Sequence, residues 1–376
     1  MVSNMPRTVY MQMRHAFKHK LSISSEYKMF YRMAVLSEVV PEWYDCCVNS
    51  CIAYTCEYKD AHRCPISKCR ELRRSPGGRA RRLFCYLPII PRLQGFFQSE
   101  KKIQDLLYRH TYVSIPGTIA DVFDSDLYKE LLETYVVVDG ETLGHKYFSS
   151  KHDIAFSLAL DGYLLYKRRR GGPSAMPLIV QIFNLPPSFR THILHLMCLG
   201  IISGPHGPKL LHTYLAPFDD ECAQLAHGVS TYDCMARNNF KLHAYNLFNQ
   251  GDIISIEKCL GIKGHNGFSP CRSCEITGVY NKVYYYPLTQ PAFEDEALES
   301  WDPKDLPLRH HEDWKEAIAR ISAADQKGDK HDIAMETGIK RMPALTRVGS
   351  LNYARSNPWD WMHLLLENVI PNLVKL

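Results

Sequence analysis

The chain has 376 residues, enough for two or three domains, because a domain usually contains about 100–200 residues. Hydrophobic residues make up 45% of the sequence and charged residues 23%, and no window approaches the about 18 consecutive apolar residues of a membrane span. These values speak against a membrane protein, and a net charge of +5 does not by itself indicate nucleic-acid binding. Because the N-terminus has no apolar segment like that of a secretory signal, we expect an intracellular protein.

Residues 1–78 are interpreted as a helical and cysteine-rich N-terminal region. Residues 1–45 are predicted to be helical, and the segment MFYRMAVLSEVV carries apolar residues around most of the helix circumference, as a buried helix would. The cysteine-rich part occupies residues 45–75 and is followed by the Gly-, Pro- and Arg-rich break SPGGRARR. The break suggests a boundary to the connecting α/β region, residues 79–150.

Six of the thirteen cysteines fall between residues 46 and 69. In a chain without a secretory signal, such clustering favours zinc binding over disulfides, and four thiolates around one ion would organise a segment too short and polar to form its own core. The predicted Zn²⁺ ligands are Cys47, Cys51, Cys64 and Cys69. Cys46 and Cys56 are alternative ligands, and reduced cysteines without a metal are the alternative explanation.

In the connecting region, FCYLPIIPRLQGFF resembles an extended segment and KKIQDLLYRH a short amphipathic helix. The stretch VFDSDLYKELLETYVVV is typical of a helix that runs into a strand.

Residues 151–262 have the most regular pattern. DIAFSLAL alternates large apolar and small residues with a period of two, which predicts a first strand. Two apolar runs that stop at prolines, PLIVQIFNLPP and HILHLMCLGIISGP, predict the second and third strands. LLHTYLAPFDDECAQLAHG has apolar residues at three- and four-residue steps and predicts a helix. FKLHAYNLFNQGD then predicts a fourth strand, followed by a short helix, IISIEKCLG.

An aspartate stands at the end of the first predicted strand and another at the end of the fourth, Asp161 and Asp252. Sites in α/β sheets lie just beyond strand ends, and in a ribonuclease-H-like order the first and fourth strands are neighbours, so we expect the two acids to meet. Two carboxylates of this kind can share two Mg²⁺ ions about 4 Å apart. The simpler alternatives are an Asp-Gly turn for Asp161 and a helix N-cap for Asp252.

Two basic blocks, RELRRSPGGRARR and KRRRGG, lie near these candidate metal sites. Each could be a solvated loop, but basic blocks beside metal sites favour a phosphate partner. The candidate contacts to a DNA backbone are Lys167, Arg168, Arg169, Arg170, Arg79, Arg81 and Arg82.

Residues 263–345 are irregular and are interpreted as an insertion. In KGHNGFSPCRSC, three side chains are candidate zinc ligands, with a redox pair or a plain turn as alternatives: His265, Cys271 and Cys274. Residues 346–376 are interpreted as a return helix of the core, interrupted near Pro371. On that helix Asp360, His363 and Glu367 share one face, and a capped helix with a buried histidine is the alternative to a site.

Seven stretches occur in one order: YDCCVNSC with the following Cys-Pro and Cys, FCYLPIIPRL, DIAFSLALDG, PLIVQIFNLPP, LGIISGP, KGHNGFSPCRSC and DWMHLLLEN. Over residues 40–376 this order resembles the transposase family of CACTA (En/Spm-like) cut-and-paste DNA elements. The resemblance implies an α/β fold with a ribonuclease-H-like mixed sheet, flanking helices and an Asp-Asp-Glu metal site. Such enzymes cut double-stranded DNA at element ends and join the freed 3′-hydroxyl to target DNA.

By this resemblance Asp161 is the first acid and Asp252 the second, with Mg²⁺ or Mn²⁺ as the cofactor. Asp360 and His363 match an Asp-x-Met-His signature near the site, which makes Asp360 a rival for the second acid. The resemblance also implies a nuclear protein that contacts element ends and target DNA, forms homo-oligomers as a further possibility, and has no membrane partner.

Two features depart from the family pattern. The family has Cys-Pro-x-Cys where this chain has Cys64-Pro-Ile-Ser-Lys-Cys69. The catalytic glutamate is expected beyond the Asp-x-Met-His helix, where Glu367 is the acid at hand, so we expect a truncated chain that can be inactive. The alternative is a non-catalytic remnant that binds DNA or acts as a zinc-organised interaction module.

Overall fold

The computed structural model describes residues 7–164, 174–287, 289 and 301–375. Its α-helices are α1 Arg7–Ala16, α2 Glu26–Ser37, α3 Ile90–Phe96, α4 Glu100–Leu106, α5 Tyr108–Thr111, α6 Asp126–Glu133, α7 Pro187–Arg190, α8 His212–His227, α9 Ile253–Leu260, α10 His311–Ala323, α11 Lys327–Thr337 and α12 Ile370–Lys375. Its strands are β1 Glu42–Asp45, β2 Leu83–Tyr86, β3 Tyr135–Val138, β4 Glu141–Lys146, β5 Ile154–Leu160, β6 Tyr163–Leu164, β7 Ser174–Ile182, β8 Met197–Gly204, β9 Val229–Asp233, β10 Asn238–Leu242, β11 Ala244–Gly251, β12 Val279–Asn281 and β13 Val283–Tyr285. A π-helical segment, Met362–Val369, precedes α12.

The main sheet has the strand order β1-β2-β8-β7-β5-β11, with β6 pairing with β7. Neighbouring strands are antiparallel except β5 and β11, which are parallel. Helix α8 lies between β8 and β11 in the chain and packs on the sheet, where the rings of Phe156 and Phe218 are 5.9 Å apart. The predicted mixed sheet with flanking helices is therefore confirmed, and so is the expected adjacency of the first and fourth strands of residues 151–262.

The cysteine-rich region is joined to this sheet rather than set apart from it. Strands β1 and β2 flank the region and form one edge of the sheet, where Tyr86 pairs with Gly200 of β8. The Tyr214 hydroxyl of α8 donates to the Ile52 carbonyl at 3.1 Å, and the Ala53 amide donates to the Thr213 hydroxyl at 3.0 Å. Helix α8 thus supports both the sheet and the cysteine-rich region.

The predicted insertion also packs on the core. Trp314 of α10 is fully buried in a small second cluster with Ile256 and Leu260 of α9. Strands β9 and β10 form a hairpin that the sequence pattern did not predict, and the predicted fourth strand, residues 240–252, is corrected: it divides at His243 between β10 and β11. Strands β12 and β13 form another hairpin within the inserted residues.

Two expectations for the N-terminal half are corrected. Helix α2 is not buried, since Tyr27 is 78% and Leu36 84% exposed. Helix α2 contains Lys28 and Arg32 and ends at Ser37, so it is less uniformly apolar than the segment MFYRMAVLSEVV suggested. The segment from residue 84 is extended only to Tyr86 and then forms α3, where Pro91 occupies a first-turn position that needs no N–H donor.

The chain end is helical through Pro371, so the expected interruption there is also corrected. The π-helical segment ends at Val369, and Pro371 lies in the first turn of α12, where a missing N–H group costs little. The proline thus coincides with a change of helix type. In the part of the chain that the structure describes, no helix has the length and apolar character needed to cross a membrane.

Candidate functional site

Asp161 and Asp252 lie at the same end of two neighbouring parallel strands. Gly251 of β11 pairs with Leu160 of β5, and each aspartate directly follows the last residue of its strand. Asp252 also caps α9, because its Oδ1 accepts a hydrogen bond from the Ser255 amide at 2.6 Å. The N-cap alternative for Asp252 is thus observed together with the predicted meeting of the two strand ends.

Asp161 does not form a hairpin turn. The pairs on either side of it are Leu160 with Leu178 and Tyr163 with Ala175, which keep one register. Strands β5 and β6 are therefore two parts of one strand, and Asp161 and Gly162 separate them. The break lies opposite Pro177 of β7, which has no N–H to donate to the sheet. Asp161 lies in this break at the end of β5, where it is partly exposed.

The surroundings of Asp161 include the other acids of the site. Partial burial raises the pKa of Asp161, and the negative charge of Asp252 raises it further. The charge of His363 lowers that pKa and the charge of Asp360 raises it. These four groups from three separate parts of the chain therefore share one electrostatic environment.

Asp360 and His363 form a hydrogen-bonded pair at the start of the C-terminal helix. Asp360 Oδ1 accepts from the Met362 amide at 2.8 Å, and Oδ2 lies 2.9 Å from His363 Nδ1. The hydrogen bond to Asp360 raises the pKa of His363, and the charges of Glu367 and Asp161 raise it further. Burial opposes the ionisation of Asp360, but its hydrogen bonds with His363 lower its pKa overall. Glu367 is exposed on this helix.

A second candidate site is the thiol cluster, Cys47, Cys51, Cys64 and Cys69. Within the described ranges, it is the one group of three or more potential metal ligands whose ligand atoms all lie within 4.8 Å of one another. Cys46 packs in the main core instead and Cys56 is exposed, so neither belongs to the cluster. The spacing in the sequence thus predicted the four thiols that meet, and together they could hold a metal such as zinc.

Two short loops position these thiols. In the first loop, the Cys47 amide donates to the Ile52 carbonyl at 2.9 Å, and in the second the Cys69 amide donates to the Ile66 carbonyl at 2.8 Å. The loops meet where the Cys47 and Cys69 sulfurs are 3.5 Å apart. The longer spacing from Cys64 to Cys69 is therefore accommodated by a turn in the second loop.

The thiols differ in how readily they ionise. Burial raises the pKa of Cys64 to about 12 and raises that of Cys51 even more. Burial opposes the ionisation of Cys69 as well, but hydrogen bonds from the Glu71 backbone and the Asn49 side chain lower its pKa to about 7. Cys69 is accordingly the thiol that ionises before Cys51 and Cys64.

The three candidate ligands of KGHNGFSPCRSC are not gathered in this way. The His265 ring pairs with a carboxylate, because its Nδ1 lies 2.9 Å from Glu257 Oε1. Cys271 and Cys274 interact with each other instead, and the hydrogen bond from Cys274 lowers the pKa of Cys271 to about 6. Among the described residues, His265, Cys271 and Cys274 do not form a group like the thiol cluster. A metal held by these three residues stays a prediction.

The basic blocks have mixed environments. Residues 167–170 lie outside the described residues. Arg79 is exposed, Arg81 pairs with Glu71 at 2.6 Å, and Arg82 donates to the Val48 carbonyl at 2.7 Å. Part of the positive charge in the first block thus stabilises the fold around the thiol cluster.

One contact beside the acids was not found from the sequence. The Arg272 guanidinium lies 4.0 Å from the centre of the Trp359 ring, and its NH2 group donates to the Pro358 carbonyl at 2.8 Å. Trp359 directly precedes Asp360. The tryptophan beside an acid was visible in the sequence, but its contact with a residue of the cysteine motif depends on the tertiary structure.

Comparison with known protein families gives a match over part of the chain. Residues 140–285 match the transposase family tnp2. The matched stretch includes β5 and β11 and therefore both Asp161 and Asp252. No curated protein matches the chain. The match supports a transposase-like protein, and with it DNA binding in general.

Proposed function

We propose that the protein is a metal-dependent transposase of the CACTA type, which cuts and joins DNA strands at an acidic site on a ribonuclease-H-like core. One observation carries the proposal: Asp161 and Asp252 end two adjacent parallel strands inside the part of the chain that matches a transposase family. The strand path β8-β7-β5-β11, with its parallel pair at β5 and β11, supports the ribonuclease-H-like assignment.

The side chains suit Mg²⁺ or Mn²⁺, which prefer carboxylate oxygens. Asp161 and Asp252 would hold the metal, which when bound activates a water or hydroxyl nucleophile and stabilises the leaving oxygen. Asp252 Oδ1 is engaged by the Ser255 amide, so its Oδ2 is the oxygen available to a cation. The raised pKa of Asp161 reflects partial burial and the nearby negative charge of Asp252, and a bound cation would offset the repulsion.

We assign the second acid to Asp252 rather than Asp360. Asp252 adjoins Asp161 through the pairing of β5 with β11, whereas both oxygens of Asp360 accept hydrogen bonds at the start of its own helix. Asp360 and His363 then act beside the metal acids, where His363 holds a proton that its raised pKa favours. Glu367, exposed on the same helix, is not assigned as the third acid.

The remaining predicted groups would serve DNA binding and stability. Residues Lys167, Arg168, Arg169 and Arg170, together with Arg79, Arg81 and Arg82, would contact the phosphates of double-stranded DNA, although Arg81 and Arg82 also have partners within the fold. The thiol cluster would hold structural Zn²⁺, with His265, Cys271 and Cys274 as a second candidate set. We further propose that the protein is nuclear and assembles as a homo-oligomer on the element ends.

A nicking assay tests the catalytic part. Supercoiled plasmid should be nicked in the presence of added Mg²⁺ or Mn²⁺ but not without them, and Asp161→Asn or Asp252→Asn should lower the rate at least about 100-fold. Asp126→Asn, which changes an exposed acid in the first turn of α6, should keep the activity. Nicking that persists in both site variants would refute the proposed metal site.

A non-catalytic DNA-binding protein is the second candidate. The observation that favours it is that the thiol cluster, and not the acids, is the tightest group of potential metal ligands in the described residues. This candidate predicts DNA binding that weakens steeply with salt but no nicking with either metal. A zinc-organised interaction module would instead show no salt-dependent affinity for DNA.

A further inference from the structure

A cavity of about 240 Å³ lies directly beside the acidic residues. Two of the residues that line it are chain neighbours of the acids: Ile253 follows Asp252, and Trp359 precedes Asp360. Two walls of the cavity are therefore one residue away from acids of the proposed site.

Trp359 forms a firmly held aromatic wall of the cavity. The Arg272 guanidinium covers the ring at 4.0 Å and is itself only 4% exposed. Its NH2 group donates to the Pro358 carbonyl, while its buried Nε has no hydrogen-bond acceptor in the described part of the chain. Arg272 thus contributes mainly through its contact with the indole ring. Trp359 as a residue remains 43% exposed, so part of it is open to a ligand.

The other walls offer apolar surface more than free hydrogen-bonding groups. The Tyr286 hydroxyl already donates to the carbonyls of His265 and Gly267, at 2.8 Å each. Glu257 already accepts from the His265 amide at 2.7 Å. Ile253, Ile262 and Ile276 supply the apolar surface. Such a lining favours a flat, aromatic ligand that binds through its faces.

We propose that this cavity receives one unpaired nucleobase of the DNA strand bound at the acidic site. Its volume is below the about 300–1,000 Å³ of pockets for drug-sized ligands, which suits a single ring system. Stacking on Trp359 would accept any base, because every base has a π-face. This inference rests on the proposed function, because it takes DNA as the ligand. It adds that the site selects a DNA base that has no pairing partner.

The test compares two duplexes, one fully paired and one with a single unpaired 2-aminopurine, in buffer without Mg²⁺ or Mn²⁺ so that no strand is cut. Fluorescence anisotropy measures affinity, and 2-aminopurine emission reports stacking. We expect binding to the unpaired duplex to be about tenfold tighter or more, with quenched emission. Trp359→Ala should remove the preference and the quenching while the affinity for the paired duplex stays the same. Trp359→Phe should retain most of the preference.

Trp361→Ala is the matched control, since Trp361 is 69% exposed two residues further on and does not line the cavity. Equal affinity for the two duplexes, or a preference that survives Trp359→Ala, would overturn the inference. A protein that nicks plasmid but shows no preference refutes the base site alone. A protein that shows the Trp359-dependent preference but never nicks supports the base site and refutes the proposed catalysis.

Discussion

Gly251 lies against the carbonyl oxygen of Leu160, and this close approach sets the spacing of the two strands that end in Asp161 and Asp252. A Cβ atom at residue 251 would lie 2.2 Å from that oxygen, far inside van der Waals contact. The Leu160 oxygen belongs to the backbone of a buried strand and cannot rotate away as a side chain would. Any larger residue at position 251 must therefore push β11 away from β5.

Gly251→Ala should accordingly lower the free energy of unfolding by about 1–3 kcal/mol, the usual cost of overpacking. It should also weaken metal-dependent nicking, because the two aspartates move apart. Urea denaturation and the plasmid assay measure the two effects. Gly144→Ala in β4, where an added Cβ meets nothing within 4 Å, is the control and should change stability by less than about 0.5 kcal/mol. Equal stability of the two variants would contradict this account.

The thiol cluster should bind one zinc ion per chain, measurable by elemental analysis of the purified protein. Cys47→Ser should remove the zinc and lower the thermal unfolding temperature, because the metal organises a segment with little core of its own. Cys56→Ser, which changes an exposed cysteine outside the cluster, should keep both the zinc and the unfolding temperature. Protein without zinc, or zinc that stays bound in Cys47→Ser, would refute the assignment.

The pair of Asp360 and His363 should make the start of the C-terminal helix sensitive to pH. Because the folded protein raises the pKa of His363, the contribution of its protonated ring is fully present below the unfolded value of about 6.5 and is lost as the pH rises through the raised pKa. An NMR titration of the His363 ring should show the raised pKa, and Asp360→Asn should lower it. Glu367→Gln should lower it less, since the hydrogen bond to Asp360 is the larger cause. An unchanged titration in Asp360→Asn would show that the pair does not form.

The free energy of unfolding should fall as the pH rises through the range in which Asp219 of α8 loses its proton. Burial raises its pKa to about 6, and the residue is 8% exposed. Since this acid binds its proton more tightly in the folded state, stability falls between about pH 4 and pH 6 and then levels off. Asp219→Asn keeps an acceptor for the Thr346 amide and should raise the free energy of unfolding at pH 7 by an amount on the order of 3 kcal/mol.

The control for that prediction is Asp220→Asn, its sequence neighbour. Asp220 pairs with Arg347 on the surface, where its side chain is 63% exposed, so its replacement should cost less than about 1 kcal/mol. Urea denaturation of both variants between pH 4 and pH 8 makes the comparison. A pH profile of Asp219→Asn that falls as steeply as that of the unaltered protein would show that another group is responsible.

The sequence predicted best where one periodic pattern decides the structure. The alternation in residues 153–160 predicted β5, and the three- and four-residue steps of residues 210–228 predicted α8. The four thiols that meet were predicted from their spacing, because each pair stands at the ends of a short loop. In these cases the pattern within one short segment is enough to predict the element or the cluster.

Prediction was less successful where distant parts of the chain decide the outcome. The all-round apolar pattern of α2 suggested burial, yet no pattern within one helix shows which other element covers it. The contact between Arg272 and Trp359 joins the cysteine motif to the residue before Asp360, and neither stretch alone points to the other. The hairpin of β9 and β10 was missed because the end of β10 and all of β11 were interpreted as one strand over residues 240–252.

Asp252 has two tasks, since one carboxylate both ends β11 and holds the first turn of α9. A cation that draws electron density from this carboxylate must weaken its acceptance of the Ser255 amide proton. The rate at which the Ser255 amide exchanges with deuterated water then reports whether a cation is bound at the ends of β5 and β11. Faster exchange of this amide on adding Mn²⁺ would indicate metal binding independently of any DNA cleavage.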